Sequence, residues 1–461
     1  MTTTRSLAVI TLAVILPACA TTRSVYRQQV ASSPPPVVDL MLSQVSADAI
    51  QANVDALASY GTRHTLSETG SDSRGIGAAR RWILAQFEEY AAEYGHERLT
   101  SNLDFHTIEA DGRRITREVD LANVVAVLPG SMPEAAHRHY YIIGHYDSRA
   151  SDPNDAESDA PGANDDASGV AVLMELARVM SGFHFDATLV FMATAGEEQG
   201  LYGARRHAAS AKENGVDIGG VLSNDTVGDP TGPGGQLADR EIRVFSEGIP
   251  ANADERQVRG IRSVGAENDS SSRQLARYID EVALRHRTHV QPVLMFRPDR
   301  FLRGGDHTGF NEQGYPAVRF IEVHENYDRQ HQDVRTEDGV DYGDVAEHVD
   351  AQYMANVARL NMAALAHLAN APSMPSNVRV IAAQLTNDTT LRWDASPEPD
   401  VAGYEVVWRE TWSPVWEHAM DVGIATEATI DLSKDNWLFG VRAYDEEGYR
   451  SPVVFPRAAR E

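Results

Sequence analysis

The stretch 140–169 constrains the fold of this chain more than any other part of the sequence. It begins with an apolar run, 140–143, which predicts a buried strand. His145 and Asp147 follow where that strand opens into an Asp-rich loop, and a segment of helical periodicity comes after the loop. Imidazole and carboxylate groups thus collect at the carboxyl end of a strand, where open α/β sheets carry their sites. So much negative charge requires a cation to neutralise it.

Three later apolar runs end in acidic or imidazole side chains in the same way. Glu197 and Glu198 follow the run 189–193, Asp225 follows 219–223, and His331 follows 316–323. The carboxyl ends of parallel strands meet at one edge of a sheet, so these groups are expected to lie together. Helical segments alternate with the strands, which favours an α/β sandwich with a largely parallel sheet.

At these residues the sequence resembles the zinc aminopeptidases of the M28 peptidase family, of the bacterial exported type. The matching motifs, in the family's order, are GHYDS, PGANDDASG, GEEQGLYGAR, NDTVG, GGDHTGF and ENYDRQHQDVR. Each motif alone is weak, but the set is specific, and it covers roughly 45–368. The resemblance implies an α/β three-layer sandwich with a mostly parallel mixed sheet, of the zinc exopeptidase type.

The resemblance also implies two zinc ions held by five side chains. These are His145, Asp165, Glu198, Asp225 and His331. By resemblance Asp165 bridges the ions, with His145 and Asp225 on one and Glu198 and His331 on the other. Zinc accepts imidazole and carboxylate ligands, and a pair about 3.5–4 Å apart can activate water and stabilise an oxyanion. The family further implies a non-proline cis peptide after the bridging aspartate, at Asp165-Asp166.

Two more acids are assigned to the chemistry. Glu197 is next to a predicted ligand and is assigned as the general base, which takes a proton from the water and passes it to the leaving amine. Asp147 lies two residues beyond His145 and is placed to accept a hydrogen bond from the other imidazole nitrogen. The family treats that aspartate as functional.

His331 departs most from the family pattern. Family members commonly place a tyrosine directly before this histidine to help polarise the scissile carbonyl, and this chain has Gln330 there. Either Tyr327 assumes that role or no residue does. His324 and His307 are the alternative metal ligands.

The predicted substrate contacts lie in the last two motifs. They are Tyr327, Arg303, Asp306 and His307. For Arg303 and Asp306 a structural salt bridge is an equal alternative. A carboxypeptidase is the competing activity, since a basic pocket for a substrate carboxylate could be built from Arg297, Arg300 and Arg303.

The N-terminus predicts export. Residues 1–19 have one arginine, an apolar run and then small residues, which is typical of a signal peptide. The segment 16–19 resembles the lipobox of bacterial lipoproteins, in which Cys19, the single cysteine of the chain, would be acylated. Ordinary cleavage at the A-x-A site 18–20 is the alternative. A periplasmic, envelope-anchored or secreted protein is expected, tethered through 20–40, with a lipid anchor as its only membrane contact.

A second domain is predicted after a Pro/Ser linker at 371–376. The peptidase domain spans 41–371, and beyond it the hydrophobic period changes to about two, which indicates a small all-β sandwich over 376–456. It resembles a fibronectin type III domain with Trp393 as the core tryptophan. Trp408, Trp412 and Trp416 could form an exposed contact for a protein or a carbohydrate, with packing as the alternative.

Composition and missing motifs exclude several classes of protein. The net charge of −26 argues against nucleic acid as a partner, because polyanions are repelled. The chain has no G-x-S-x-G elbow and no dinucleotide fingerprint, and its only cysteine lies at the signal boundary.

The expected function is therefore an exopeptidase acting on peptides with a free N-terminus. Two further functions compete with it: a glutaminyl cyclase, which shares the fold but uses one zinc, and a non-catalytic binding protein on a peptidase scaffold.

Overall fold

The computed structural model describes residues 35–383 and 385–459. The predicted signal peptide, Cys19 and residues 20–34 of the tether lie outside the described residues. Within the described ranges, no helix is long and apolar enough to cross a membrane.

The first of two parts of the structure contains ten α-helices and ten strands among the described residues. The helices are α1 Pro36–Ser43, α2 Ala47–Ala58, α3 Gly75–Glu93, α4 Ser168–Met180, α5 Glu197–Gly200, α6 Tyr202–Glu213, α7 Glu255–Ser263, α8 Ser271–His286, α9 His307–Asn311 and α10 Ala351–Asn370. The strands are β1 Thr100–Ile108, β2 Val119–Leu128, β3 Arg138–His145, β4 Thr188–Thr194, β5 Asp217–Asn224, β6 Glu241–Ser246, β7 Gln291–Met295, β8 Ala317–Ile321, β9 Arg335–Glu337 and β10 Val340–Tyr342.

Eight of these strands form one mixed sheet in the order β1-β2-β4-β3-β5-β8-β6-β7. The central strands β4, β3, β5 and β8 run parallel, while β1 and β2 are antiparallel neighbours and β6 is antiparallel to β8. Alternate residues of β3 face opposite layers: Ile142 packs in the core with α4 and α10, and Ile143 packs in the core with α6 and α9. The three-layer α/β sandwich is confirmed.

The N-terminal part of the domain differs from the prediction. Helix α1 begins at Pro36, inside the predicted tether, because proline suits the first turn of a helix and Val38 and Met41 are buried in the core. Ser46 separates α1 from α2, and its hydroxyl caps α2 by accepting the amide of Ala49 at 3.2 Å.

The C-terminal part consists of two small sheets that share one core. Its strands are β11 Ser376–Ile381, β12 Thr389–Asp394, β13 Val401–Glu410, β14 His418–Asp421, β15 Glu427–Ile430, β16 Trp437–Asp445 and β17 Arg457–Ala459. They are ordered β15-β12-β11-β17 and β14-β13-β16. Trp393 is buried between the sheets, against Tyr404. The predicted sandwich is confirmed, although its last strand ends at Ala459 rather than at 456.

Buried polar contacts fasten the C-terminal sandwich to α8 and the loop before it. Arg409 donates two hydrogen bonds of 2.9 Å to Asp269, and the indole of Trp416 donates to Gln274 at 3.0 Å. Trp416 is therefore part of the contact between the domains. Trp408 stacks on His418, whereas the side chain of Trp412 is exposed.

Candidate metal centre

The four parallel strands carry the predicted ligands to one edge of the sheet. Strand β3 ends at His145, and Asp225 follows the last residue of β5 directly. Glu198 lies in α5, which begins three residues after β4 ends, and His331 comes from the loop after β8. Asp165 lies in the irregular turn Ala163–Ala167 that precedes α4. The sheet thus explains why residues far apart in sequence meet.

The five side chains form two groups that share Asp165. His145, Asp165 and Asp225 make one group, and Asp165, Glu198 and His331 make the other, with the ligand atoms of each group within 4.8 Å of one another. The Nε2 atom of His145 lies 3.1 Å from Oδ1 of Asp165, and Nε2 of His331 lies 2.9 Å from Oδ2 of the same carboxylate. One carboxylate therefore faces both groups.

The electrostatics of these groups fit divalent cations. Burial alone would raise the pKa of Asp165, but His145 and His331 hold that pKa well below its ordinary value. Burial alone would likewise lower the pKa of His331, yet Glu198 and Asp165 raise it to about 10. Oε1 of Glu198 is buried and, apart from His331 Nε2 at 3.0 Å, has no partner in the described residues. Imidazole and carboxylate together are the donor set that zinc takes.

Backbone hydrogen bonds hold the shared aspartate in place. The peptide Asp165-Asp166 is cis, as the family resemblance implied. Asp344 accepts the amides of Asn164 and Asp165 at 2.8 and 2.7 Å, and Asp166 accepts the amide of His145 at 3.0 Å. Neither Asp344 nor Asp166 was assigned a role from the sequence, because their partners are main-chain groups that a motif does not reveal.

Asp147 does not make the hydrogen bond that the sequence predicted. The Nδ1 atom of His145 lies 3.0 Å from the main-chain oxygen of Asp147, and the carboxylate is 3.7 Å away. That carboxylate instead accepts the backbone amides of Glu197 and Glu198 at 3.2 and 3.1 Å. Asp147 therefore positions the first turn of α5, and its backbone orients the imidazole.

Glu197 is half-buried beside the predicted ligands. Burial raises the pKa of its carboxyl well above the ordinary value, and the charges of Asp225 and Glu198 raise it further, while His145 opposes the shift. Such surroundings suit a carboxylate that accepts and returns a proton.

Gln330 takes a different role from the tyrosine it replaces. Its side-chain amide donates to Oδ2 of Asp165 at 2.7 Å and accepts from Arg303 at 3.4 Å. The guanidinium of Arg303 lies 5.4 Å from the ring centre of Tyr327, which is 53% exposed. Arg303 and Tyr327 therefore form the rim next to Asp165.

The two remaining predicted substrate contacts are buried. His307 has no exposed surface, and its Nε2 faces the carbonyl oxygen of Pro298 at 2.9 Å. Asp306 accepts the hydroxyl of Thr194, and burial raises its pKa to about 7. Oδ1 of Asp306 has no partner among the described residues. Neither His307 nor His324 belongs to a potential metal group within those residues.

Arg319 is a residue of the site that sequence reasoning missed. It lies in β8, is buried, and its Nη2 atom is 2.8 Å from Oδ1 of Asp225. A single arginine in the apolar run 316–323 was the available signal, since a buried guanidinium requires an acidic partner.

The model of "Peptidase family M28" matches residues 123–356. A "Probable zinc metalloprotease" of the fungus Pyrenophora teres f. teres is 46% identical over 90% of this chain and 86% of the relative. Another, from Leptosphaeria maculans, is 45% identical over 92% of this chain and 97% of the relative. These relatives are fungal, whereas a bacterial type was expected.

Two solved structures from Legionella pneumophila share the fold. LapB gives a TM-score of 0.52 at 18% identity, over 74% of this chain and 79% of that one. LapA gives a TM-score of 0.50 at 21% identity, over 73% of this chain and 76% of that one. At such identities the likeness shows the fold alone, and the family rests on the sequence matches. The chain belongs to peptidase family M28.

Proposed function

We propose that this M28 metallopeptidase is an aminopeptidase that holds two zinc ions and removes N-terminal residues from peptides. The observation that carries the proposal is the shared carboxylate: Asp165 faces His145 on one side and His331 on the other, at 3.1 and 2.9 Å. His145 and Asp225 would hold one ion, and Glu198 and His331 the other, with Asp165 between them.

The chemistry divides between the metals and the chain. Bound zinc lowers the pKa of a coordinated water and polarises a carbonyl. Glu197 would take the proton from the attacking water and return it to the leaving amine. Asp147 fixes the start of α5, which carries both Glu197 and Glu198, through its two backbone hydrogen bonds.

The charges around the centre bear on which end of a peptide the site would accept. A carboxypeptidase needs an available cation for the substrate carboxylate. Arg300 pairs with Asp299 and Glu325, so a carboxypeptidase would use Arg303, which lies at the rim against Gln330 and Tyr327. Asp306 by contrast has a carboxylate oxygen without a partner in the described part of the chain. Above its pKa of about 7, this carboxylate would attract a protonated α-amine.

A panel of matched peptides tests the assignment. The same dipeptide chromogens are offered with a free amine and with an acetylated amine, beside peptides that are blocked at the amine and free at the carboxyl end. Cleavage of the free-amine set alone is expected. Release of C-terminal residues from the third set would favour a carboxypeptidase. Full zinc occupancy with no cleavage in any set would favour a binding protein on a peptidase scaffold.

The fold neighbours support the direction of this proposal only weakly. LapA is described as an aminopeptidase, and its likeness to this chain is one of fold. The relatives by sequence are described as probable zinc metalloproteases, which leaves the choice of peptide end to experiment.

Two proposals concern the ends of the chain. The segment 1–19 supports export, with acylation of Cys19 and anchoring to the cell envelope. Mass spectrometry of the mature N-terminus distinguishes acylation from ordinary cleavage.

The C-terminal sandwich resembles a fibronectin type III domain, and a contact with a protein or carbohydrate would use Trp412, which is 75% exposed.

A further inference from the structure

A permanently charged arginine is built into one half of the metal centre. Arg319 is 1% exposed, and its Nη2 atom lies 2.8 Å from Oδ1 of Asp225. The same oxygen accepts the hydroxyl of Thr226 at 2.9 Å and lies 3.9 Å from Nε2 of His145. The atom of Asp225 that faces the imidazole is therefore the one that the guanidinium already contacts.

The other half of the centre contains no equivalent cation. In the described part of the chain, no arginine or lysine forms an ion pair with Asp165 or Glu198, and the partner of Asp165 Oδ2 beside His331 is the neutral amide of Gln330. The two groups share Asp165 and each has a histidine and a second carboxylate. The two groups differ in that Arg319 contacts a carboxylate of the first group, Asp225.

We infer that Arg319 makes the two metal positions unequal, so that a divalent cation at His145, Asp165 and Asp225 is held more weakly than one at Asp165, Glu198 and His331. This inference rests on the proposed two-ion function. A guanidinium stays protonated at any ordinary pH, so its repulsion of a nearby cation is permanent. Its positive charge also partly neutralises Oδ1 of Asp225, so that oxygen attracts a cation less strongly.

Asp299 partly neutralises the positive charge that Arg319 presents to Asp225. Its Oδ2 atom lies 3.0 Å from Nη1 of Arg319, and the carbonyl oxygen of Gly304 accepts from the same nitrogen. Asp299 and Gly304 flank Arg303 in the loop between β7 and α9. Arg319 therefore joins the loop at the rim of the site to a predicted metal ligand and acts as a positioning residue.

Two variants with opposite expected effects test the inference. Arg319→Met removes the charge and keeps an unbranched side chain. Asp299→Asn keeps Arg319 but removes the carboxylate that partly neutralises it. Metal-free full-length wild type and both variants are titrated with zinc against a chromophoric chelator, with thermal unfolding as the check of folding. The wild type is expected to bind one zinc tightly and one more weakly.

The ratio of the two dissociation constants is the deciding readout. Arg319→Met should tighten the weaker site about 10-fold, and Asp299→Asn should weaken it about 10-fold, the order expected for a partly screened charge a few ångströms from the bound ion. A purely structural role would weaken zinc binding in both variants. A folded Arg319→Met with the wild-type ratio would overturn the inference, and if that variant does not fold, an unchanged ratio in Asp299→Asn would do so.

The number of ions separates this inference from the proposed function. One zinc in wild type and two in Arg319→Met would support the action of Arg319 and contradict the two-ion proposal. One zinc in both proteins would contradict both. Two zinc in wild type with equal constants would leave the proposed function in place and overturn the role of Arg319.

Discussion

Oδ2 of Asp147 accepts a hydrogen bond of 3.1 Å from the backbone amide of Glu198. Its other carboxylate oxygen accepts the amide of Glu197 at 3.2 Å. A fully buried carboxylate at the end of β3 therefore fixes the first turn of the helix that follows β4. The proposed general base and a predicted ligand are held by one residue.

Replacing Asp147 by asparagine should lower kcat by about 10–100-fold, the range expected for groups that orient metal ligands. The amide NH₂ of asparagine cannot accept the second backbone N–H, so the turn with Glu197 and Glu198 would shift. Steady-state kinetics measures the effect. Asp152→Asn, in the exposed part of the following loop, is the control and should match wild type. Wild-type kcat in Asp147→Asn would contradict the positioning role.

His331→Ala should release one of the two proposed zinc ions. Asp165 and Glu198 alone leave a site with two carboxylates and no imidazole, which binds zinc poorly. His324→Ala is the matched control, because His324 is the competing ligand and lies in the same loop. Zinc per chain is measured after dialysis against a metal buffer. Loss of zinc in the His324 variant with none in the His331 variant would reverse the assignment.

Asp269→Asn should destabilise the protein by about 3–5 kcal/mol, as expected when one partner of a buried ion pair is removed. Asp269 accepts two hydrogen bonds from Arg409 of the C-terminal sandwich and one from Gln274 of α8. Urea unfolding measures the change. The exposed pair Arg392–Glu427 supplies the control, since Glu427→Gln should change the free energy of unfolding by less than about 1 kcal/mol. Equal effects would contradict a fixed contact between the domains.

Glu405 should make stability depend on pH. Burial alone would raise its pKa, but Arg442 and Arg450 lower it to about 2. The unfolded value is about 4.3, so the stabilisation is complete above that pH and is lost as the pH falls through 2. The shift corresponds to about 3 kcal/mol.

The measurement is the difference in the free energy of unfolding between wild type and Glu405→Gln. That difference should shrink as the pH is lowered from 5 to 2, because the wild-type carboxyl becomes protonated in both states. A difference that stays constant over this range would show that the charge of Glu405 contributes nothing.

Much of the fold and of the site was predictable because both depend on local patterns. The apolar runs predicted the central strands, and their ends carried the groups that meet at one edge of the sheet, as with Asp225 directly after β5. Strand β1 was not predicted: it is an edge strand, and most of its residues are exposed or half-buried, so it lacks the apolar run of a central strand.

The parts that could not be predicted depend on partners distant in sequence. Arg319 and Asp225 are on different strands, and only the sheet shows that they touch. The carboxylate of Asp147 lies near both the imidazole of His145 and the backbone amide of Glu197. It accepts a hydrogen bond from the amide and lies 3.7 Å from the imidazole. His307 matches a motif, yet the fold buries it against Pro298.

Glu197 is the proposed proton-transfer group beside the proposed pair of zinc sites. The most direct measurement compares wild type, Glu197→Ala and Glu198→Ala for bound zinc and for hydrolysis of a free-amine chromogenic dipeptide. Glu197→Ala should keep about two zinc per chain and lose at least ~10²-fold in kcat, the low end for removing a general base. Glu198→Ala should lose zinc as well as activity. A Glu197→Ala protein with two zinc ions and the wild-type rate would contradict the proposed role of Glu197.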